Sequence, residues 1–195
     1  MNRAAVMIAF TLLAVLAPVA GAQAADNPMR AAARLSAAEP IISFVTKEHC
    51  DPIKKREWCT LKARYDESAG YDYLAFFTGR KAPDESLLLS GILHVKRKGC
   101  WSGWNEPYEV ASRTRRMVRD LAKWIRGGAI RRSGSVLRWR KGGDRAFFRL
   151  DAAGRITTVI RRWHTGSGYR MTLRYPAAIK RIAAAPACTP PSGAR

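Results

Sequence analysis

Two periods organise the apolar positions of this chain. Between residues 135 and 175 they alternate. Lys141-Gly142-Gly143-Asp144, Asp151-Ala152-Ala153-Gly154 and His164-Thr165-Gly166-Ser167-Gly168 are turn sequences that leave segments near 135–140, 145–150, 155–163 and 169–175. That spacing predicts an antiparallel meander. Side chains two apart share a face of a strand. One face takes Leu137, Trp139, Ala146, Phe148, Leu150, Ile156, Thr158, Ile160, Tyr169, Met171, Leu173 and Tyr175, none of them charged. The opposite face takes Arg138, Arg140, Arg145, Phe147, Arg149, Arg155, Arg161, Trp163, Arg170 and Arg174. Arg162 falls out of phase, which predicts a bulge or a strand end near it.

The period becomes helical over 105–126. Asn105 is a good N-cap, Pro107 suits a first turn, and Glu106 and Glu109 suit the positive helix end. Val110, Thr114, Met117, Val118, Leu121 and Ile125 recur on one face, with Trp124 at its border. Arg116, Arg119, Lys123 and Arg126 line another, and Gly127-Gly128 marks the stop. Ahead of the helix, runs at 41–46, 60–65, 71–78 and 87–96 read as strands, the last as one central strand. The expected fold is therefore α+β: mainly antiparallel β-sheet of about eight strands, ending in a four-stranded meander, with one long amphipathic helix. The rival arrangement is a β-barrel with the helix packed on it.

Residues 1–25 have the grammar of a signal peptide: Arg3, an apolar run at 6–19, and a small-residue site at Ala22-Gln23-Ala24. The expected division is 1–25 signal peptide, 26–40 an Ala-rich N-terminal lead-in (a short helix or a loose segment), 41–185 a single domain and 186–195 a Pro-rich tail. No later segment is apolar and long enough to span a bilayer. A periplasmic or secreted location follows, and in such a compartment Cys50, Cys59, Cys100 and Cys188 favour disulfides over metal ligation. Three connectivities are possible. Cys50–Cys59 would close a local charged loop, and Cys100–Cys188 would tie the tail to the body. No C-x-x-C or paired histidines offer a metal site, and no cofactor is implied.

Charge changes the picture most. Residues 26–110 hold 13 Lys+Arg against 12 Asp+Glu, whereas residues 111–195 hold 21 against only Asp120, Asp144 and Asp151. Like charges placed across neighbouring strands destabilise a sheet. Folding therefore gives no reason to gather arginines on one face, and a solvated surface is the alternative to a binding one. The binding reading assigns Arg138, Arg140, Arg149, Arg161, Trp163, Arg170 and Arg174 of the sheet, with Arg116, Arg119 and Lys123 of the helix, to an anionic partner. That partner is an anionic polymer such as nucleic acid, a phosphorylated lipid headgroup, or an acidic protein bound in the manner of an inhibitor or immunity protein. The sequence says nothing of oligomeric state.

Catalytic signals are sparse. No G-x-S-x-G, H-E-x-x-H, P-loop or G-x-G-x-x-G pattern occurs. His49 and His94 read as structural residues. His164, placed among arginines and followed by Thr165-Gly166-Ser167-Gly168, is the one candidate acid/base of a hydrolase acting on phosphodiesters. The Gly-rich turn would offer backbone N–H groups to a phosphate. The leading expectation is a non-catalytic, exported binding protein.

Overall fold

A computed structural model describes residues 27–49, 58–79, 82–104 and 112–188. Its centre is one open antiparallel sheet of eleven strands in the order β6-β5-β4-β3-β2-β1-β11-β10-β9-β8-β7. The first half is a meander of β1 (Ile41–His49), β2 (Trp58–Asp66), β3 (Tyr71–Thr78), β4 (Asp84–Leu89), β5 (Ile92–Arg97) and β6 (Cys100–Trp104). The second is a meander of β7 (Ala129–Ser133), β8 (Val136–Lys141), β9 (Asp144–Leu150), β10 (Ile156–Arg162) and β11 (Gly168–Arg174). The β1–β11 ladder, in register from Ser43↔Arg174 to Glu48↔Tyr169, joins them.

Eleven strands stand where eight were expected. The single strand expected at 87–96 is a hairpin, because Ser90 and Gly91 both take positive φ (50° and 83°) and close a two-residue turn between Leu89 and Ile92. Lys98 and Gly99 repeat that geometry (49° and 87°) and generate β6. Left-handed conformation at both central residues gives these turns the twist that flanking strands require. β7 forms after Gly127-Gly128 and pairs with β8. The four expected meander segments appear as β8 to β11, within about two residues at each end.

Two short helices lie on one face of the sheet. α1 (Pro28–Ala37) has Pro28 in its first turn, and the Asn27 side chain accepts the Met29 N–H at 3.0 Å. Met29, Ala32, Ala33, Ser36 and Ala37 form its buried stripe. The expected long helix is instead α2 (Arg113–Arg119) followed by a 3-10 turn (Asp120–Ala122). Ser112, not Asn105, caps it: its Oγ accepts the Arg115 N–H at 3.0 Å. Asp72, buried on β3, accepts from Ser112 Oγ (3.0 Å), Thr114 N (3.1 Å) and Thr114 Oγ1 (2.5 Å), fixing the helix start to the sheet. The expected stripe is otherwise kept, with Thr114, Val118, Leu121 and Ile125 buried and Met117 partly exposed. The expected cap Asn105 and the first turn expected after it lie outside the described residues.

The main core joins both helices to the inward residues Ile42, Phe44, Ala63, Leu137, Trp139, Phe148, Ile156, Val159, Met171 and Leu173. A second cluster lies on the far face over β3, β4 and β6. There Ile179, Ile182 and Ala184 of the C-terminal segment cover Tyr71, Tyr73, Ala75, Leu87 and Trp101. The Cys100–Cys188 disulfide and the Arg181–Asp66 ion pair (2.7 Å) hold that segment down. Ser68 Oγ and Arg181 hold the Asp66 carboxyl below its ordinary range. Cys59 is also disulfide-bonded; its expected partner Cys50, like the signal segment 1–25, lies outside the described residues. Among the described residues no helix is long and apolar enough to cross a membrane.

Candidate anion-binding site

The C-terminal segment covers the far face only over the first meander. On the second, the register places Arg131, Arg138, Arg140, Arg145, Arg149, Arg162, Arg170 and Arg174 on that face. Lys47 of β1 joins them opposite Arg170. All nine are exposed, no acidic residue occupies a far-face position of β7 to β11, and none of the eight arginines pairs with a carboxylate among the described residues. Near the middle, Arg138, Arg149 and Arg170 surround a depression of about 230 Å³ that also includes Val136, Phe147, Thr158 and Ile160. These three apolar side chains are half-buried, so the guanidinium groups stand around a partly apolar floor.

Two of the expected outward arginines are elsewhere. The register between β9 and β10 slips between Ile156 and Thr158. This bulge precedes Arg162 by several residues and reverses the phase of the rest of β10, while β11 keeps the expected one. Val159 turns inward opposite Met171, Thr158 and Ile160 turn to the far face, and Arg162 joins the outward arginines. Arg161 is carried to the helix face beside Tyr169. Arg155 lies in the β9–β10 turn, ion-paired to Asp151 (2.7 Å) and Glu39 (3.1 Å) with its guanidinium 4.8 Å from the Tyr175 ring, so it is not a free outward charge.

The expected helix row is likewise separate. Arg116, Arg119 and Lys123 are exposed, but α2 packs on the opposite side of the sheet from Arg138, Arg140, Arg149, Arg170 and Arg174. Lys123 and Arg119 also neighbour Asp120, at 3.1 and 3.9 Å. One flat ligand cannot touch both rows.

Around Arg161 a second arrangement forms at the β10–β11 end of the sheet. Its guanidinium carbon lies 3.7 Å from the Trp124 ring centre and 4.5 Å from that of Trp163. Trp124 meets Trp139 edge-on at 5.4 Å, and Trp163 lies 6.1 Å from Tyr169. The result is a run of four aromatic rings with one cation in its middle. Burial pushes the Arg161 guanidinium below its usual value and the Tyr169 hydroxyl up to about 12. Arg161 Nε is buried with no hydrogen-bond partner. Gly168 permits the tight turn beneath: a Cβ there would run into the Arg161 carbonyl oxygen.

His164 does not stand free in this cluster. Its Nδ1 lies 3.0 Å from Asp144 Oδ1, and its backbone N–H donates to the same oxygen at 2.9 Å. These contacts, with Arg161 nearby, hold the Asp144 carboxyl low. The Gly166 N–H donates to the Trp163 carbonyl, so one N–H group of the expected phosphate nest is already engaged, as is that of His164 beside it. His94 is a half-buried β5 residue opposite Gly103, and His49 ends β1. Asp144, Trp124, Arg131 and Arg162 went unassigned at the sequence level; only the Asp144-to-His164 pairing had a legible signal, the two lying in the first and third predicted turns, at the same end of the meander.

No protein-family model matches this sequence, and no curated protein matches it. Among solved structures, that of LprF from Mycobacterium bovis is similar at a TM-score of 0.50. The match covers 82% of this chain and 96% of that chain at 10% identity, a likeness of fold.

Proposed function

We infer that this is an extracytoplasmic, non-catalytic binding protein whose far sheet face docks on an anionic surface of phosphorylated lipid headgroups. The observation that carries the reading is the far face of β7 to β11: eight exposed arginines with no acidic residue on that face and, among the described residues, no carboxylate partner. Their layout favours a surface over a thread. The charges spread across five adjacent strands, about 20 Å at the usual strand spacing, where a polymer backbone would need only a single track. Phe147, Ile160 and Val136 between Arg138, Arg149 and Arg170 suit a headgroup with apolar chain beneath it. Each cation near an anionic bilayer contributes about 1 kcal/mol at moderate ionic strength. The Cys100–Cys188 disulfide accords with an oxidising compartment.

The test is binding to vesicles containing an anionic phospholipid, compared with vesicles of zwitterionic lipid alone. Affinity for the anionic vesicles falls steeply as salt rises. The variant Arg138→Glu/Arg149→Glu/Arg174→Glu loses it by at least about a hundredfold while its circular dichroism is unchanged. Equal binding by that variant, or equal binding to the zwitterionic vesicles, overturns the reading.

A further inference from the structure

We propose that Arg161 is the anchor of a second site, at the β10–β11 end of the sheet, which takes a planar apolar molecule bearing a phosphate or carboxylate group. The site does not depend on the far-face docking proposed above, although Lys47, Arg145, Arg162 and Arg170 of that face also line its cavity. A guanidinium taken partly out of water normally finds a carboxylate, because leaving it unpaired costs free energy. Arg161 has none among the described residues: Asp144, whose charge acts on it through space, is engaged by His164 through both its backbone N–H and its ring. The inner nitrogen Nε is orphaned. The two outer nitrogens make no hydrogen bond among the described residues and are not fully buried, so they remain open to a partner.

A cavity of about 750 Å³ at this end of the sheet is lined by Arg161, Trp163, Tyr169, Arg145, Arg162 and His164, among others. Among the described residues no aspartate or glutamate lines it. A smaller opening on the other side of Arg161 reaches Trp124 and Trp139. The rings do two things at once. They hold the guanidinium plane in place through its π-face, and they leave its N–H edge, the part that matches an oxyanion bidentately, unoccupied. The same rings offer flat apolar walls to whatever carries the oxyanion. A site with a fixed cationic fork, aromatic walls and a largely basic rim, where Asp144 at the smaller opening is already engaged by His164, selects for an oxyanion on a ring system and against its neutral analogue.

The experiment uses the full disulfide-bonded chain with 1-naphthyl phosphate, 1-naphthoate and 1-naphthol as probes. Tryptophan fluorescence reads the site directly through Trp163 and Trp124, and thermal denaturation reads stabilisation. Naphthyl phosphate and naphthoate should quench and raise Tm, and naphthol should do neither. Arg161→Met keeps the packing and removes the orphaned charge. It should lose at least about tenfold in affinity while its Tm without ligand is equal to or above that of the unaltered protein, an outcome a purely structural arginine would not give. Arg161→Lys, which keeps a charge but neither fork nor stacking plane, should also lose about tenfold. Arg138→Gln/Arg149→Gln/Arg174→Gln should bind the probes unchanged. The proposal is overturned if either Arg161 variant binds naphthyl phosphate as the unaltered protein does. It is equally overturned if naphthol binds as well as the anions, if no probe binds at millimolar concentration, or if the far-face variant loses the probes.

Discussion

Ser36 lies in the last turn of α1, and its hydroxyl donates to the Ala32 carbonyl at 2.8 Å while accepting the Ile156 N–H at 2.7 Å. Ile156 opens β10 where the register slips, so a helix side chain receives a donor at the bulge. That one contact accompanies a change of phase that decides which arginine faces which way. Replacing Ser36 by alanine strands a buried N–H and should cost about 1–3 kcal/mol, measured as a lower urea midpoint with unchanged slope. The alternation of Arg145, Phe147 and Arg149 was legible because β8 and β9 pair without a slip. The position of Arg161 was not, because a bulge has no fixed residue type and Arg162 one step later looked equally able to be the irregular residue. Period-two reasoning is right locally and fails beyond the first inserted residue.

At the level of elements, the most informative comparison is between the two ends of the chain. The β8 to β11 meander was readable from its turns, each with two or more of Gly, Asp or Ser. The Ser90-Gly91 and Lys98-Gly99 turns were not, because each is only two residues long within an apolar or basic run. α2 was overextended because helical spacing of Leu121 and Ile125 persists through a 3-10 turn, which sequence periodicity does not separate from an α-helix. The Pro-rich C-terminal end carried one correct long-range signal, Cys188 with Cys100, and no hint that Ile179 and Ile182 roof the far face. That roof divides the far face into a covered half and a cationic half. Cys100→Ser/Cys188→Ser should therefore cost about 4 kcal/mol, given the 88-residue separation. Hydrogen exchange should rise first at residues 176–188 and over β6; protection unchanged there would show that the segment holds without its covalent tie.

For the whole molecule, the charge asymmetry between the two halves of the sequence becomes an asymmetry between the two ends of one sheet. The eight arginines repel one another in the folded state more than in the extended chain. Salt consequently acts on folding and on docking with opposite signs. Raising ionic strength from about 0.01 to 0.15 M shortens the screening length from about 30 to 8 Å. That should raise Tm of the free protein by about 2–4 °C, equivalent to about 1 kcal/mol for a chain of this size, while weakening attachment to anionic vesicles. Calorimetry and vesicle sedimentation on the same salt series check both halves of this expectation. A Tm that falls with added salt would mean that the arginines are compensated within the fold.

The β1–β11 ladder has a consequence for when the protein can become whole. Every other ladder joins strands that are neighbours in sequence, so each meander can assemble from short-range contacts. The seam must wait for partners as far apart as Ser43 and Arg174, and loops of that length close slowly. A chain delivered from its N-terminus leaves the outer edge of β1, with Phe44 at its centre, unpaired until its last strand arrives. During that interval the exposed edge is a template for another copy. Completion of the seam is thus the moment at which the protein gains both its continuous core and its protection against self-association.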